Sequence, residues 1–273
     1  MKSTENDTDI FGSPKGGKIP AKELVNTRDL GGLETAEGRK IIPGRLLRSG
    51  ELYQLCPEDM KLLTDTYNLK LVIDLRTKTE QEHKPDTQLA GVRYISNPIL
   101  DEDKVGISRD KSLSDMILGF EGDAEAYMQK CYCDFVMDDF AQREYGLFFE
   151  HLSEHQEGAV LWHCSAGKDR VGVATALLLT SLGVPKDIVM ADYMCTNSFV
   201  GGEVAEMTEK LKAKGTKEKT IKNIQTMLSV RESYLENVFE TICNHYQTVE
   251  NYFYQALGVT PEQINNLQNQ YLI

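Results

Sequence analysis

No apolar run in this sequence reaches the ~18 residues that a membrane-spanning helix needs. The N-terminal stretch MKSTENDTDIFGSPKGG lacks the apolar segment of a secretory signal. Residues 1–18 read as a flexible leader, and a reducing cytoplasm is the default compartment. Secretion stays open only if a longer leader has been removed. Cysteine is sparse: the six residues at 56, 131, 133, 164, 195 and 243 give neither a disulfide framework nor zinc-ligand spacing. Cys131-x-Cys133 has no second ligand pair and reads as packing. Positive charge is also short. Against 42 Asp and Glu stand 30 Lys and Arg, a formal net charge of −12. That balance excludes a general nucleic-acid binder. Internal repeats and low-complexity linkers are absent, so residues 19–273 read as a single domain.

What is present is a chain of 273 residues that is 41% hydrophobic, enough for a sizeable core. It is organised around Gly158 to Leu182, GAVLWHCSAGKDRVGVATALLLTSL. Ala159 to Trp162 is a short apolar run and predicts a buried strand. Val171 to Leu182 is small and apolar throughout and predicts a buried helix. Between them lies His163-Cys164-Ser165-Ala166-Gly167-Lys168-Asp169-Arg170, a thiol and a guanidinium spaced as Cys-x5-Arg. A loop of this kind directs successive backbone N–H groups, and the positive end of the following helix, into one hollow. Such a hollow binds a phosphate dianion or another oxyanion. Gly167 permits the turn, and the planar fork of Arg170 suits two phosphate oxygens. The same positive field favours the thiolate of Cys164, a nucleophile placed beneath a bound ester. A nucleotide-binding P-loop does not fit, since Trp162 and Asp169 stand where it needs Gly and Ser or Thr. A rhodanese loop has a shorter Cys-to-Arg spacing.

HCSAGKDR resembles the signature of the cysteine-dependent protein tyrosine phosphatase superfamily. Its Gly-Lys-Asp-Arg ending is similar to that of a bacterial branch containing tyrosine, dual-specificity and phosphoinositide phosphatases. Other segments agree. Asn26-Thr27-Arg28-Asp29-Leu30-Gly31-Gly32 resembles the branch's N-x-R-D-L-G-G element, where Arg28 and Asp29 could fix the turn by pairing. Residues 41–49 resemble the strand that follows, with Arg45 and Arg48 as phosphate-side or structural cations. Val72 to Glu80 resembles V-I-D-L-R-x-x-x-E and places Asp74 and Arg76 at a strand end, as supporting groups or a structural pair. Asp192 to Asn197 resembles D-Y-x-x-[ST]-N, a helix end packed under the loop, and the C-terminal tail agrees as well.

The alternation of strands and helices predicts an α/β fold, a central and largely parallel sheet flanked by helices. A helical insertion is expected at about 101–145, with helical spacing at Leu113–Leu118 and Tyr127–Phe149, as a lid or a fixed subdomain. One amphipathic helix is expected from Arg231 to Leu257. The resemblance implies hydrolysis of phosphomonoesters on a phosphorylated protein or a phosphoinositide, through a cysteinyl-phosphate intermediate. Cys164 attacks, Arg170 binds the phosphoryl oxygens, and the backbone from Ser165 through Ala166, Gly167, Lys168 and Asp169 completes the cradle. Lys168 adds positive charge and His163 tunes Cys164 from the flank. No metal or cofactor is expected, because the loop and Arg170 meet the developing charge. The lysines between Lys210 and Lys222 read as a solvated surface or as a contact for an acidic lipid headgroup.

Two alternatives stand beside this reading. Val171 occupies the position after the Arg where the superfamily usually has Ser or Thr, which implies slow breakdown of the phosphoenzyme. It admits a catalytically weak phosphate-reading module. Arsenate reduction also uses a Cys-x5-Arg loop, but near the N-terminus of its chain. The general acid has competing candidates. Asp101 and Asp103 lie on the loop after Pro98, where most of the superfamily carries its acid. Asp169 lies within the cradle itself, where charge on the ligand favours the protonated carboxyl, while Lys168 and Arg170 favour the carboxylate and a role in bracing the loop.

Overall fold

The structure is a computed structural model that describes residues 17–102 and 120–273. Residues 1–16 of the expected leader, Asp103 and the stretch Leu113–Leu118 lie outside the described residues. Six strands form one sheet: β1 Gly17–Lys18, β2 Arg28–Asp29, β3 Leu46–Ser49, β4 Leu69–Asp74, β5 Arg93–Ser96 and β6 Ala159–His163, in the order β1-β2-β3-β6-β4-β5. The four strands from β3 to β5 in that order are parallel, and β1 and β2 add an antiparallel edge. Gly17 and Lys18, expected in the leader, pair with Asp29 and Arg28.

The central strand explains its own apolar run. In a parallel sheet both faces are covered, so strands are apolar throughout rather than alternating. On β6, Val160 and Trp162 face one core cluster, while Ala159 and Leu161 face a smaller one on the opposite side. The smaller face is closed by α1 Pro57–Lys61 and the π turn Leu62–Thr66 that continues it. The remaining helices among the described residues are α2 Lys78–His83, α3 Ala124–Met137, α4 Asp139–Glu154, α5 Asp169–Ser181, α6 Lys186–Ala213, α7 Glu218–Leu228, α8 Glu232–Tyr246, α9 Val249–Gln255 and α10 Pro261–Tyr271. Helix α3, within the expected insertion, packs against α7 and α8, and its Tyr132 and Val136 are fully buried. It is part of the core. The helix expected over 231–257 is two, α8 and α9. Gln247 takes a φ of 71°, and Thr248 caps the new helix by accepting from the Asn251 amide. Among the described residues no helix is long and apolar enough to cross a membrane.

A buried charge cluster joins the antiparallel edge to α6. Arg28 and Arg48 are cross-strand neighbours on β2 and β3. Arg28 Nε donates to Asp192 Oδ1 at 2.7 Å, and Arg48 Nη1 donates to Asp192 Oδ2 at 2.5 Å. The expected pairing of Arg28 with Asp29 does not form, because successive strand residues point to opposite faces. Asp29 instead accepts from the amides of Gly31 and Gly44. Asp192 stands in the second turn of α6, not at a helix end. Burial alone would raise its carboxyl, but the two guanidinium groups hold it below the usual carboxylate range. Burial, together with Arg28, lowers Arg48 to about 10. Removing the charge of Asp192 leaves two buried cations without a counter-ion, which costs about 3–5 kcal/mol. Asp192→Asn is therefore expected to lower the unfolding free energy from urea titration by that amount, whereas Asp187→Asn on the first turn of the same helix costs about 1 kcal/mol or less.

Candidate active site

Strand β6 ends at His163, α5 begins at Asp169, and Cys164 to Lys168 form the loop between them. Gly167 has a φ of 64°, and a Cβ there would come within 2.4 Å of the Ser49 carbonyl oxygen. Both facts require glycine. The loop's carbonyls are each held from behind. Ser165 O accepts from the Glu51 amide at 3.1 Å. Asn26 Nδ2 donates to Ala166 O at 3.0 Å and to Gly167 O at 2.8 Å, and Arg48 Nη2 donates to Gly167 O at 2.9 Å. In a planar trans peptide the N–H points opposite to the C=O. The amides of Ala166, Gly167 and Lys168 are therefore turned toward the other side, where the N-terminus of α5 adds its own donors. The result is a cradle for an oxyanion, with Cys164 at one end of the loop and Arg170 in the first turn of the helix.

Arg170 is buried and oriented by a residue that the sequence reading left outside the site. Its Nη1 donates to Glu80 Oε2 at 2.6 Å and its Nη2 to Glu80 Oε1 at 3.0 Å. Ser165 Oγ also donates to Glu80 Oε1, at 2.5 Å. Glu80 is the third residue of α2, and a capping box fixes it there: its other end accepts from the Thr77 amide, and Thr77 Oγ1 accepts from the Glu80 amide. A guanidinium has five N–H donors. Glu80 uses one on each terminal nitrogen, and Nη2 also donates to Ser165 Oγ at 3.4 Å. The signal was present in the sequence as the final Glu of the V-I-D-L-R-x-x-x-E element, but nothing there pairs it with Arg170, which lies 90 positions away.

The other expected residues divide between the cradle and its supports. His163 is fully buried. Its Nε2 donates to Asp86 Oδ2 at 2.9 Å, and its Nδ1 lies 3.4 Å from the Cys164 carbonyl oxygen. Asp74 and Arg76 form an ion pair at 2.7 Å, and Arg76 also reaches Asp86 at 2.7 Å. Asp74, Asp86 and His163 lie within 4.8 Å in a set that could hold a metal ion, but the Arg76 guanidinium already supplies the positive charge there. Arg48 serves the loop from beneath. Arg45 lies at the opposite end of β3, donating to Gln156 O and stacking over Tyr271, so it is not on the phosphate side.

Lys168 departs from the expectation of a free positive charge in the cradle: its Nζ donates to Met227 O at 2.7 Å and to Asp169 Oδ1 at 2.8 Å. Asp169 opens α5, and its Oδ1 accepts a second hydrogen bond, from Tyr132 on α3. Asp101 lines a small cleft of about 200 Å³ with Lys78, Leu100 and Phe140, and its neighbour Glu102 caps α2 by accepting from the Thr79 amide. Val171 is fully buried in the core, so the position after Arg170 offers no hydroxyl.

Burial alone would raise the carboxyl of Glu80, but Arg170 and the Ser165 hydroxyl outweigh it and hold it at about 2, against an ordinary 4.5. A folded-state value below the unfolded one stabilises the protein fully above pH 4.5, and the contribution is lost as pH falls through about 2. The shift corresponds to something on the order of 3 kcal/mol. Glu80→Gln is expected to be less stable at pH 7 by an amount of that order, and the gap to the native protein should narrow steadily below pH 4.5. Urea titrations of both proteins across that range measure it, and a gap independent of pH contradicts the ion pair as its source.

Comparison with known proteins agrees with this geometry. The model of the tyrosine phosphatase family matches residues 19–273. A protein of Cupriavidus necator, provisionally named a tyrosine-protein phosphatase, is 31% identical over 88% of this chain and 84% of its own length. The triple specificity protein phosphatase PtpB of Mycobacterium tuberculosis is 27% identical over 89% of this chain and 95% of its own. A tyrosine-protein phosphatase of Nostoc commune is 29% identical over 60% of this chain and 52% of its own. With the loop, its guanidinium and the surrounding α/β sheet in place, and with the match running from Ile19 to the last residue, the chain belongs to the tyrosine phosphatase family and is a phosphatase.

Proposed function

We propose that the chain hydrolyses phosphomonoesters through a cysteinyl-phosphate intermediate, with phosphotyrosine as one substrate and phosphoserine, phosphothreonine and phosphoinositides as others. The observation that carries this reading is the set of loop carbonyls pinned by Glu51, Asn26 and Arg48, which turns the opposing amides into one anion cradle between Cys164 and Arg170. Support for breadth of substrate comes from the name of the Mycobacterium tuberculosis relative.

The reaction runs in two displacements. The Cys164 thiolate attacks phosphorus, the S–P bond forms and the ester P–O bond breaks. Asp169 gives its proton to the departing oxygen. The amides and Arg170 hold the three equatorial oxygens, where charge gathers in the transition state. Water then attacks the phosphocysteine, the carboxylate of Asp169 takes its proton, and the thiolate leaves. Arg170 enters this sequence already aligned, because Glu80 fixes its plane. Asp169 is preferred as the acid over Asp101 because it opens the helix at the cradle, whereas Asp101 lines the cleft beside Lys78 and Phe140. Val171 leaves the departing thiolate without a hydroxyl at that position, so the second displacement is slow and turnover modest.

Cys164→Ser is expected to lower hydrolysis of p-nitrophenyl phosphate by roughly 10⁴-fold or more while keeping vanadate binding. Arg170→Ala should lose both. More than trace hydrolysis by Cys164→Ser would mean that no covalent intermediate forms at this thiol. For the acid, Asp169→Asn should slow a poor leaving group by roughly 10²–10⁴-fold and a good one far less. Asp101→Asn and Asp103→Asn should show no such dependence. Equal slowing of both substrates by Asp169→Asn assigns it a structural role.

A further inference from the structure

Among the described residues, both hydrogen bonds to the Asp169 carboxyl fall on one oxygen. Its Oδ1 accepts from the Tyr132 hydroxyl at 2.7 Å and from Lys168 Nζ at 2.8 Å. Tyr132 in turn accepts from the Tyr193 hydroxyl at 2.7 Å. Three elements thus converge on one oxygen: α3 through Tyr132, the loop through Lys168, and α6 behind Tyr132 through Tyr193.

The direction of each bond is forced by chemistry. An ammonium group only donates. Tyr132 is fully buried, Tyr193 nearly so, and burial pushes both hydroxyls up from the usual phenol range. Both keep their protons. The proton of Tyr193 goes to Tyr132, and that of Tyr132 goes to Asp169. A neutral carboxylic acid has one carbonyl oxygen, which accepts, and one hydroxyl oxygen, which carries the proton. An oxygen that already takes two donors is the carbonyl.

We propose that Tyr132 is a positioning residue for proton transfer: with Lys168 it commits Oδ1 of Asp169 to the carbonyl role, so that the proton sits on Oδ2, the oxygen left for the leaving group. This rests on Asp169 being the general acid. In the step itself the proton moves from Oδ2 to the ester oxygen as the P–O bond breaks and the S–P bond forms, and Asp169 is left as a carboxylate bonded to Tyr132 and Lys168. The torsion that turns an aspartate carboxyl is broad and roughly two-fold. Without Tyr132 one of the two restraints on that torsion is gone, and the proton is found less often on the oxygen that can use it. Tyr193 acts one step further back, by holding the Tyr132 hydroxyl in line.

The test compares the native protein, Tyr132→Phe, Asp169→Asn and the double variant on two substrates, phenyl phosphate with a poor leaving group and p-nitrophenyl phosphate with a good one. The readout is kcat/KM, which reports the steps up to P–O cleavage, alongside vanadate affinity as a measure of cradle integrity. Phenylalanine keeps the ring contacts of Tyr132 with Phe135, Tyr193 and Tyr234. Asp169 becomes charged as its proton leaves, so losing the Tyr132 hydrogen bond predicts a roughly tenfold drop for Tyr132→Phe on phenyl phosphate. The drop on p-nitrophenyl phosphate should be much smaller and vanadate affinity unchanged. In the Asp169→Asn background the same change should add almost nothing on either substrate. Tyr193→Phe should reproduce the leaving-group dependence at a smaller size, and it stands in if Tyr132→Phe does not fold. Equal slowing of both substrates by the tyrosine variants, or a full additive loss on top of Asp169→Asn, overturns the positioning role. If Asp169→Asn shows leaving-group dependence and Tyr132→Phe does not, only this inference falls. If Asp169→Asn shows none, the assignment of the acid falls with it.

Discussion

Everything at the site depends on the loop carbonyls being held from behind. A peptide group can offer its N–H to a ligand only if its C=O is satisfied elsewhere, and a buried carbonyl without a partner is costly. Here the partners are an asparagine amide, a guanidinium and one backbone amide, from Asn26, Arg48 and Glu51. Arg48 is held in turn by Asp192, and Asn26 accepts from Arg28, so the peptide planes that carry the Ala166 and Gly167 carbonyls are tied to an ion cluster that joins β2, β3 and α6. This is a buried charge network whose contribution to net stability is small or uncertain as a class. Its consequence for the loop is definite, because Gly167 O has donors only on that side.

A second set of charges lies in front of the loop. Glu80, Ser165 and Arg170 form a closed triangle of hydrogen bonds, with Glu80 fixed by the capping box of α2. The acid of this triangle is ionised at every working pH, and Arg170 stays charged, raised by Glu80 against the opposing effect of burial. In the proposed mechanism a phosphate dianion would meet a guanidinium already fixed by Glu80. Such preorganisation is the usual source of electrostatic rate enhancement.

What the sequence could show followed from what is local in the chain. The apolar run of β6, the five-residue loop and the small-residue helix α5 are contiguous, and each carries its own signal. Long-range pairings were not readable. Asp192 lies 144 positions from Arg48, and Glu80 lies 90 from Arg170, and charge alone does not choose partners across such separations. Arg28 was mispaired with its neighbour Asp29 because adjacency on a strand means opposite faces. Arg45 and Arg48 are indistinguishable by type, but the register of β3 with β6 sends one to each end of the sheet. Tyr132 carried no sequence signal at all: an aromatic at helical spacing reads as core, and only the fold shows its hydroxyl on Asp169.

The central claim is that phosphate passes through a covalent bond to Cys164, at a site whose second step is slow because Val171 lacks a hydroxyl. Slow breakdown makes the intermediate accumulate. Acid quenching of the native protein during steady turnover of p-nitrophenyl phosphate, followed by peptide mass spectrometry, reads this directly. The account predicts one added phosphoryl group on the peptide containing Cys164, absent in Cys164→Ser. Turnover with the phosphoryl group on any other side chain, or with no adduct at all while product forms in a burst, would contradict it.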